Sequence, residues 1–136
     1  MKPRYDDDPY RPVYFKPIEI VGLKEEFVKT LDSIRFTSNI PIVITRGKDN
    51  SDIGVKKSAH HLGLAIDARS GSWYNHFRLV LGAIQNGIKR IGVYIQPFNC
   101  PHCSKLIDKL KPVPGHIHID DSKEHPREVL WVGISK

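Results

Sequence analysis

A chain of 136 residues, 40% hydrophobic and 26% charged, is long enough to bury one core of its own without disulfide staples and too short for two ordinary domains. Lys+Arg outnumber Asp+Glu by 21 to 15, a formal charge of +6 that favours polyanionic partners: nucleic acid, anionic lipid or the phosphate-bearing polymers of a bacterial envelope. The basic residues form no block and do not alternate with aromatics, so a nucleic-acid partner is not expected, and no apolar run reaches bilayer-spanning length. The opening MKPRYDDDPYRP has no apolar core of a secretory signal, so the expectation is synthesis in the cytoplasm, with delivery by other means to any target beyond the membrane.

Residues 1–13, rich in Pro, Tyr and Asp, read as an extended arm with a solvated Asp6-Asp7-Asp8 run, and residues 14–136 as a single domain. Phe27, Leu31 and Ile34 fall at helical spacing with Glu25, Lys29 and Asp32 between them, which predicts an amphipathic helix over about residues 23–36. The β-branched run Ile40-Pro41-Ile42-Val43-Ile44-Thr45 predicts a buried strand, and the polar stretch 47–58 a loop. Leu64 to Ala68 predicts a second strand. Trp73, Phe77, Leu81, Ile84 and Ile88 then step by four, four, three and four, predicting a second helix over about residues 72–88. Ile91 to Ile95 is a third strand. An insertion at about 97–111 carries Cys100-Pro101-His102-Cys103 and a short helix at 104–110. His116-Ile117-His118-Ile119-Asp120 alternates polar and apolar residues, a strand with one wet face, and Val129 to Ile134 is the last strand. The order implies an α+β fold with a largely antiparallel central sheet and flanking helices.

The chemistry concentrates in Ser58-Ala59-His60-His61-Leu62-Gly63-Leu64-Ala65-Ile66-Asp67 and in His116-Ile117-His118-Ile119-Asp120. A catalytic zinc takes three His or carboxylate ligands and keeps a position open, with its ligands steadied by further hydrogen bonds. Gly63 permits a tight turn between His60 and Asp67, and small Ala65 leaves room on Asp67's side of the strand. His116, His118 and Asp120 share one strand face, where three ionisable groups contribute nothing to core packing. His61, His76, His102 and His125 are read as non-ligands.

The first segment resembles the Ser-x-His-x-x-Gly-x-Ala-x-Asp signature of the zinc D-alanyl-D-alanine carboxypeptidase family, whose relatives include phage peptidoglycan endopeptidases and vancomycin-resistance dipeptidases. Ser58, His60, Gly63, Ala65 and Asp67 meet its five fixed positions, and Ile117-His118-Ile119-Asp120 meets the second signature, an apolar residue followed by His-x-Asp. Phe15 to Glu19, Leu31 to Arg35 and Arg90 to Tyr94 resemble flanking stretches of the family. The resemblance implies one Zn2+ on the sheet, held by His60, Asp67 and His118, with Ser58 hydrogen-bonded to a ligand. It further implies hydrolysis of peptide bonds in peptidoglycan stem peptides or cross-links, in the cell wall or periplasm after phage-type release. A zinc-binding relative without catalysis, serving as a structural or wall-binding module, is the other expectation.

Many family members carry a carboxylate three residues before the last His ligand, and this chain has Gly115 there. Asp120 is the nearest substitute, either as the base that takes a proton from water or as a carboxylate orienting a histidine. His116 and His61 are candidates to polarise the oxyanion. Arg46 stands in for the family's substrate-stabilising Arg, a few positions early, with Lys48 as an alternative point charge. Cys100 and Cys103 fall outside the family pattern. They are open to three readings: a second zinc completed by two histidines such as His102 or His125, a disulfide, or two loop thiols.

Overall fold

The computed structural model describes residues 12–48, 59–96, 113–123 and 129–134. After a 3-10 turn at Pro17–Ile20, helix α1 spans Glu25–Ser38 and strand β1 Val43–Arg46. Strand β2 is Ala65–Arg69, helix α2 Trp73–Gln85, β3 Arg90–Gln96, β4 Val113–Asp120 and β5 Val129–Ile134. The expected elements are therefore present wherever the chain is described. The expected short helix at 104–110, with Cys100 and Cys103, lies outside the described residues, as do 1–11 of the expected arm.

Local chemistry sets the helix ends. Glu25 and Glu26 sit in the first turn of α1 and Arg35 in its last, each on the side that the helix dipole favours. Asn39 adopts the left-handed conformation at φ 54° and donates its N–H to the Arg35 carbonyl, which stops the helix. At α2 the Ser72 hydroxyl accepts from the Asn75 N–H at 3.1 Å, an N-cap. Asp32, buried on α1, accepts the main-chain N–H groups of Val13 and Tyr14 at 3.1 and 3.2 Å. The chain is thus tied to the fold from Val13 onward, the last residue of the expected arm.

The five strands form one sheet in the order β1-β2-β4-β3-β5. Every pairing is antiparallel except that of β3 with β5, so the fold is α+β with a mixed, mostly antiparallel sheet. The core lies between the helices and one face of the central strands: Phe27, Leu31 and Ile34 of α1 and Leu79 and Ala83 of α2 against Ile66, Ala68, Ile91, Ile117 and Ile119. Period-two alternation sends Asp67, His118 and Asp120 to the opposite face. One expectation is corrected. The β-branched run at 40–45 is not a buried strand: Ile42 is buried, but β1 is a sheet edge, with Val43, Thr45 and Arg46 exposed. A β-branched run specifies pleated backbone, and the number of neighbouring strands decides its burial.

Candidate metal centre

His60 reaches the sheet from a tight turn. Gly63 donates its N–H to the His60 carbonyl, Leu64 donates to the Ala59 carbonyl, and Gly63 takes φ +74°. A Cβ at Gly63 would stand 2.6 Å from the Gly22 carbonyl oxygen, so only glycine fits both the left-handed turn and the close approach of the chain before α1. That approach is itself hydrogen-bonded, Lys24 N–H to the Gly63 carbonyl at 2.9 Å.

Register supplies the other groups. Arg46, Asp67, His118, Gly92 and Trp131 are successive partners on β1, β2, β4, β3 and β5, one row across the whole sheet. Arg46 belongs to this row because the β1–β2 register shifts between Ile44 and Arg46. An unbroken ladder would set Arg46 opposite Ile66 and turn it to the core face. The shift places it opposite Asp67 instead, as bulges beside sites re-aim a side chain. The Thr45 hydroxyl donates to the Asp67 carbonyl at 3.2 Å within this irregularity.

With His60, the row brings together side chains that could hold a metal ion. His60 Nε2 lies 3.3 Å and His118 Nδ1 3.0 Å from the same oxygen of Asp67, and one ligand atom from each residue lies within 4.8 Å of the others. Four-coordinate zinc with bonds of about 2.0–2.1 Å separates its ligand atoms by about 3.3 Å, so the spacing matches. The remaining ring nitrogens are already held. His60 Nδ1 meets the Gly47 carbonyl oxygen at 2.9 Å, and His118 Nε2 meets Asp120 Oδ2 at 2.7 Å. With a metal bound, those contacts to Gly47 and Asp120 would leave His60 Nε2 and His118 Nδ1 to face the ion, the arrangement a metal-binding histidine needs. His60, Asp67 and His118 can hold a metal ion.

The electrostatics agree. Burial alone would raise the Asp67 pKa, but hydrogen bonds to His118 and His60 and the charges of both rings outweigh it, holding the carboxyl well below the usual range. Burial would lower His118, and the hydrogen bond to Asp120 followed by that to Asp67 reverses the sign, leaving its pKa above 6.5. Where a metal is absent, a proton on His118 does part of the cation's work.

Asp120 is fully committed. Besides His118, it accepts from Arg90 Nε at 2.8 and 3.1 Å and from the Ser122 N–H at 3.0 Å, and it is buried. Burial raises its pKa, while the bonds to His118 and Ser122 and the Arg90 charge lower it further than burial raises it.

A cleft of about 440 Å³ opens over these groups, lined by Arg46, His60, Asp67, His116, His118 and Asp120. Arg90, Tyr94 and Trp131, which sequence reasoning gave no role, complete its wall. Arg46 Nη1 stands 4.0 Å from Asp67 Oδ2. His116 stacks on Tyr94 with ring centroids 4.0 Å apart, and Trp131 Nε1 donates to the Tyr94 hydroxyl at 3.0 Å. Trp131 lies 5.3 Å from the His118 ring and carries the Arg90 guanidinium 5.5 Å above its own. Burial lowers the His116 pKa despite the attraction of Asp67, so that imidazole is neutral near pH 7. Two of the three left a signal: Arg90 and Tyr94 flank Gly92 at period two along β3, the pattern of a strand with one wet face, whereas Trp131 left none.

Ser58, Cys100, Cys103, His102 and His125 fall outside the described residues. His76 is buried on α2 with Nδ1 against the Ser70 hydroxyl, apart from the ligand cluster. Comparison with family models, curated proteins and solved structures returned no match.

Proposed function

We propose that this protein is a zinc peptidase acting on peptidoglycan stem peptides or cross-links. The observation that carries the reading is the convergence of His60 Nε2, Asp67 Oδ1 and His118 Nδ1 at zinc-ligand spacing on the floor of an open cleft. The fit of Ser58, His60, Gly63, Ala65 and Asp67 to the carboxypeptidase signature supplies the substrate class. Zinc held there would polarise a scissile carbonyl and bring the pKa of water from 15.7 towards about 7.

The chain's own residues divide the remaining work. Asp120 orients His118 and is not the proton acceptor, because His118, Arg90 and the Ser122 N–H occupy its carboxylate. His116, neutral and in the cleft wall, takes the proton and returns it to the leaving amine, in place of the acid that Gly115 lacks. Arg46 offers positive charge beside Asp67 to a substrate carboxylate or a developing oxyanion. The Tyr94–Trp131 wall gives the peptide an apolar surface. The scattered positive charge favours a polyanionic wall.

Isolated sacculi of several wall chemotypes, incubated with the zinc-loaded protein and with His118→Ala or Asp67→Ala, test the reading. New peptide termini identified by mass spectrometry should appear with the wild type alone and name the bond cut. Equal release by either variant would contradict it. No release from any chemotype would leave a metal-binding module without turnover, with Gly115 as the chemical reason.

A further inference from the structure

The sheet face opposite the metal cleft is incompletely covered. Trp131 and Gly133 of β5 face the cleft side, toward His118 and Tyr94, so Leu130, Val132 and Ile134 face the side where the helices lie. No β5 residue joins the core beneath α1 and α2, and Val132 and Ile134 are 69% and 70% exposed. The adjoining helix has the converse surplus. Its inner residues Leu79 and Ala83 are buried, while Phe77 and Ile84 on its outer stripe are 61% and 55% exposed and Trp73 is 45% exposed. The two surfaces meet at a recess of about 250 Å³ shared by Ile84, Ile88 and Leu130.

We propose that this face is the interface of a two-fold homodimer in which α2 of each copy lies on β5 of the other. The argument for a second copy is complementarity. The chain presents a helix stripe that lacks a sheet and, beside it, a sheet face that lacks a helix. One two-fold operation supplies both deficits at once, which is the condition for an isologous contact. Chemistry points the same way. Val129 to Ile134 reads VLWVGI, with no charge and no proline, although exposed edge strands are ordinarily guarded by Lys, Pro or a bulge. The one charge on α2, Arg78, is turned to the Ser38 carbonyl at 2.8 Å. Apart from Lys89, which also lines the recess, the face is apolar and so matches an apolar copy of itself better than a charged partner.

The exposed area approaches what a dimer needs. With roughly half of some 200 Å² showing on each of these six apolar side chains, the stripe and the strand together expose on the order of 600 Å². A standard interface takes ~800 Å² from each partner, and monomers rarely leave so large an apolar patch open. The metal cleft lies on the far side of the sheet, so both clefts stay accessible in the dimer.

Sedimentation velocity and light scattering on the full chain from ~1 to ~100 µM test this, alongside Phe77→Glu on the helix and Val132→Lys on the strand. Circular dichroism and zinc binding would report whether each variant is folded. The wild type should be dimeric, and each folded variant should raise the dissociation constant ~30-fold or more, the effect of losing an interface anchor. Two positions on different elements keep the test alive should one variant fold poorly. A wild type that stays monomeric at ~100 µM, so that some other partner must cover the face, would overturn the proposal. So would a dimer that neither substitution weakens.

Discussion

The hydrogen bond from His118 Nε2 to Asp120 determines how the candidate centre responds to pH. The His118 pKa is raised above 6.5, so in the metal-free protein this group contributes stability that is complete below 6.5 and is lost as pH rises through the raised value. Metal and proton compete for His118 Nδ1, so zinc affinity should weaken as pH falls, beginning above 6.5. Asp120→Asn removes the charge that steadies the ring and raises its pKa. Two effects follow. Zinc affinity at pH 8 should drop ~10–100-fold, the usual cost of losing a carboxylate behind a metal-binding histidine, and the acid loss of binding should move to lower pH. Competition titrations with a chromophoric chelator from pH 5.5 to 8.5 measure both. An unchanged affinity and pH profile would mean that Asp120 does not act through His118.

At the scale of elements, the site is a product of strand register, and register decides what the sequence could reveal. His118 and Asp120 were legible because they alternate on one strand, and His60, Gly63 and Asp67 because a turn and a strand place them locally. The turn's need for glycine at 63 has a backbone cause, the Gly22 carbonyl, which no local pattern discloses. Arg46 could be suggested only by resemblance, since plain alternation aims it at the core until the ladder slips by one residue beside Thr45. Gly47 as the acceptor for His60 was invisible because it acts through a main-chain carbonyl. The edge position of β1 was hidden for a similar reason: strand order is a long-range property. The cleft wall carries its own prediction. A Cβ at Gly92 would stand 2.5 Å from the Trp131 ring, so Gly92→Ala must displace that ring and break its bond to Tyr94. Near-UV circular dichroism should lose the Trp131 contribution and stability should fall by about 1–3 kcal/mol, the usual cost of forcing an extra carbon into packed structure. An unaltered spectrum would show that the Trp131–Tyr94 wall does not depend on the gap at Gly92.

Across the whole molecule, the two faces of one sheet serve different ends. The helix side builds the core from Leu31, Leu79, Ile117 and their neighbours and leaves an apolar margin at β5. The other side collects the ionisable groups of four strands and one turn around a point where a cation fits. The cysteines supply the sharpest rival for that cation, because the sequence left Cys100 and Cys103 open to a second zinc, a disulfide or two loop thiols, and thiolates also bind zinc. Zinc K-edge X-ray absorption on protein loaded with one equivalent of zinc separates them directly. A centre formed by His60, Asp67 and His118 predicts only nitrogen and oxygen neighbours at about 2.0–2.1 Å, with the outer-shell scattering of two imidazoles. Sulfur neighbours at about 2.3 Å would place the zinc on the cysteines and contradict the account.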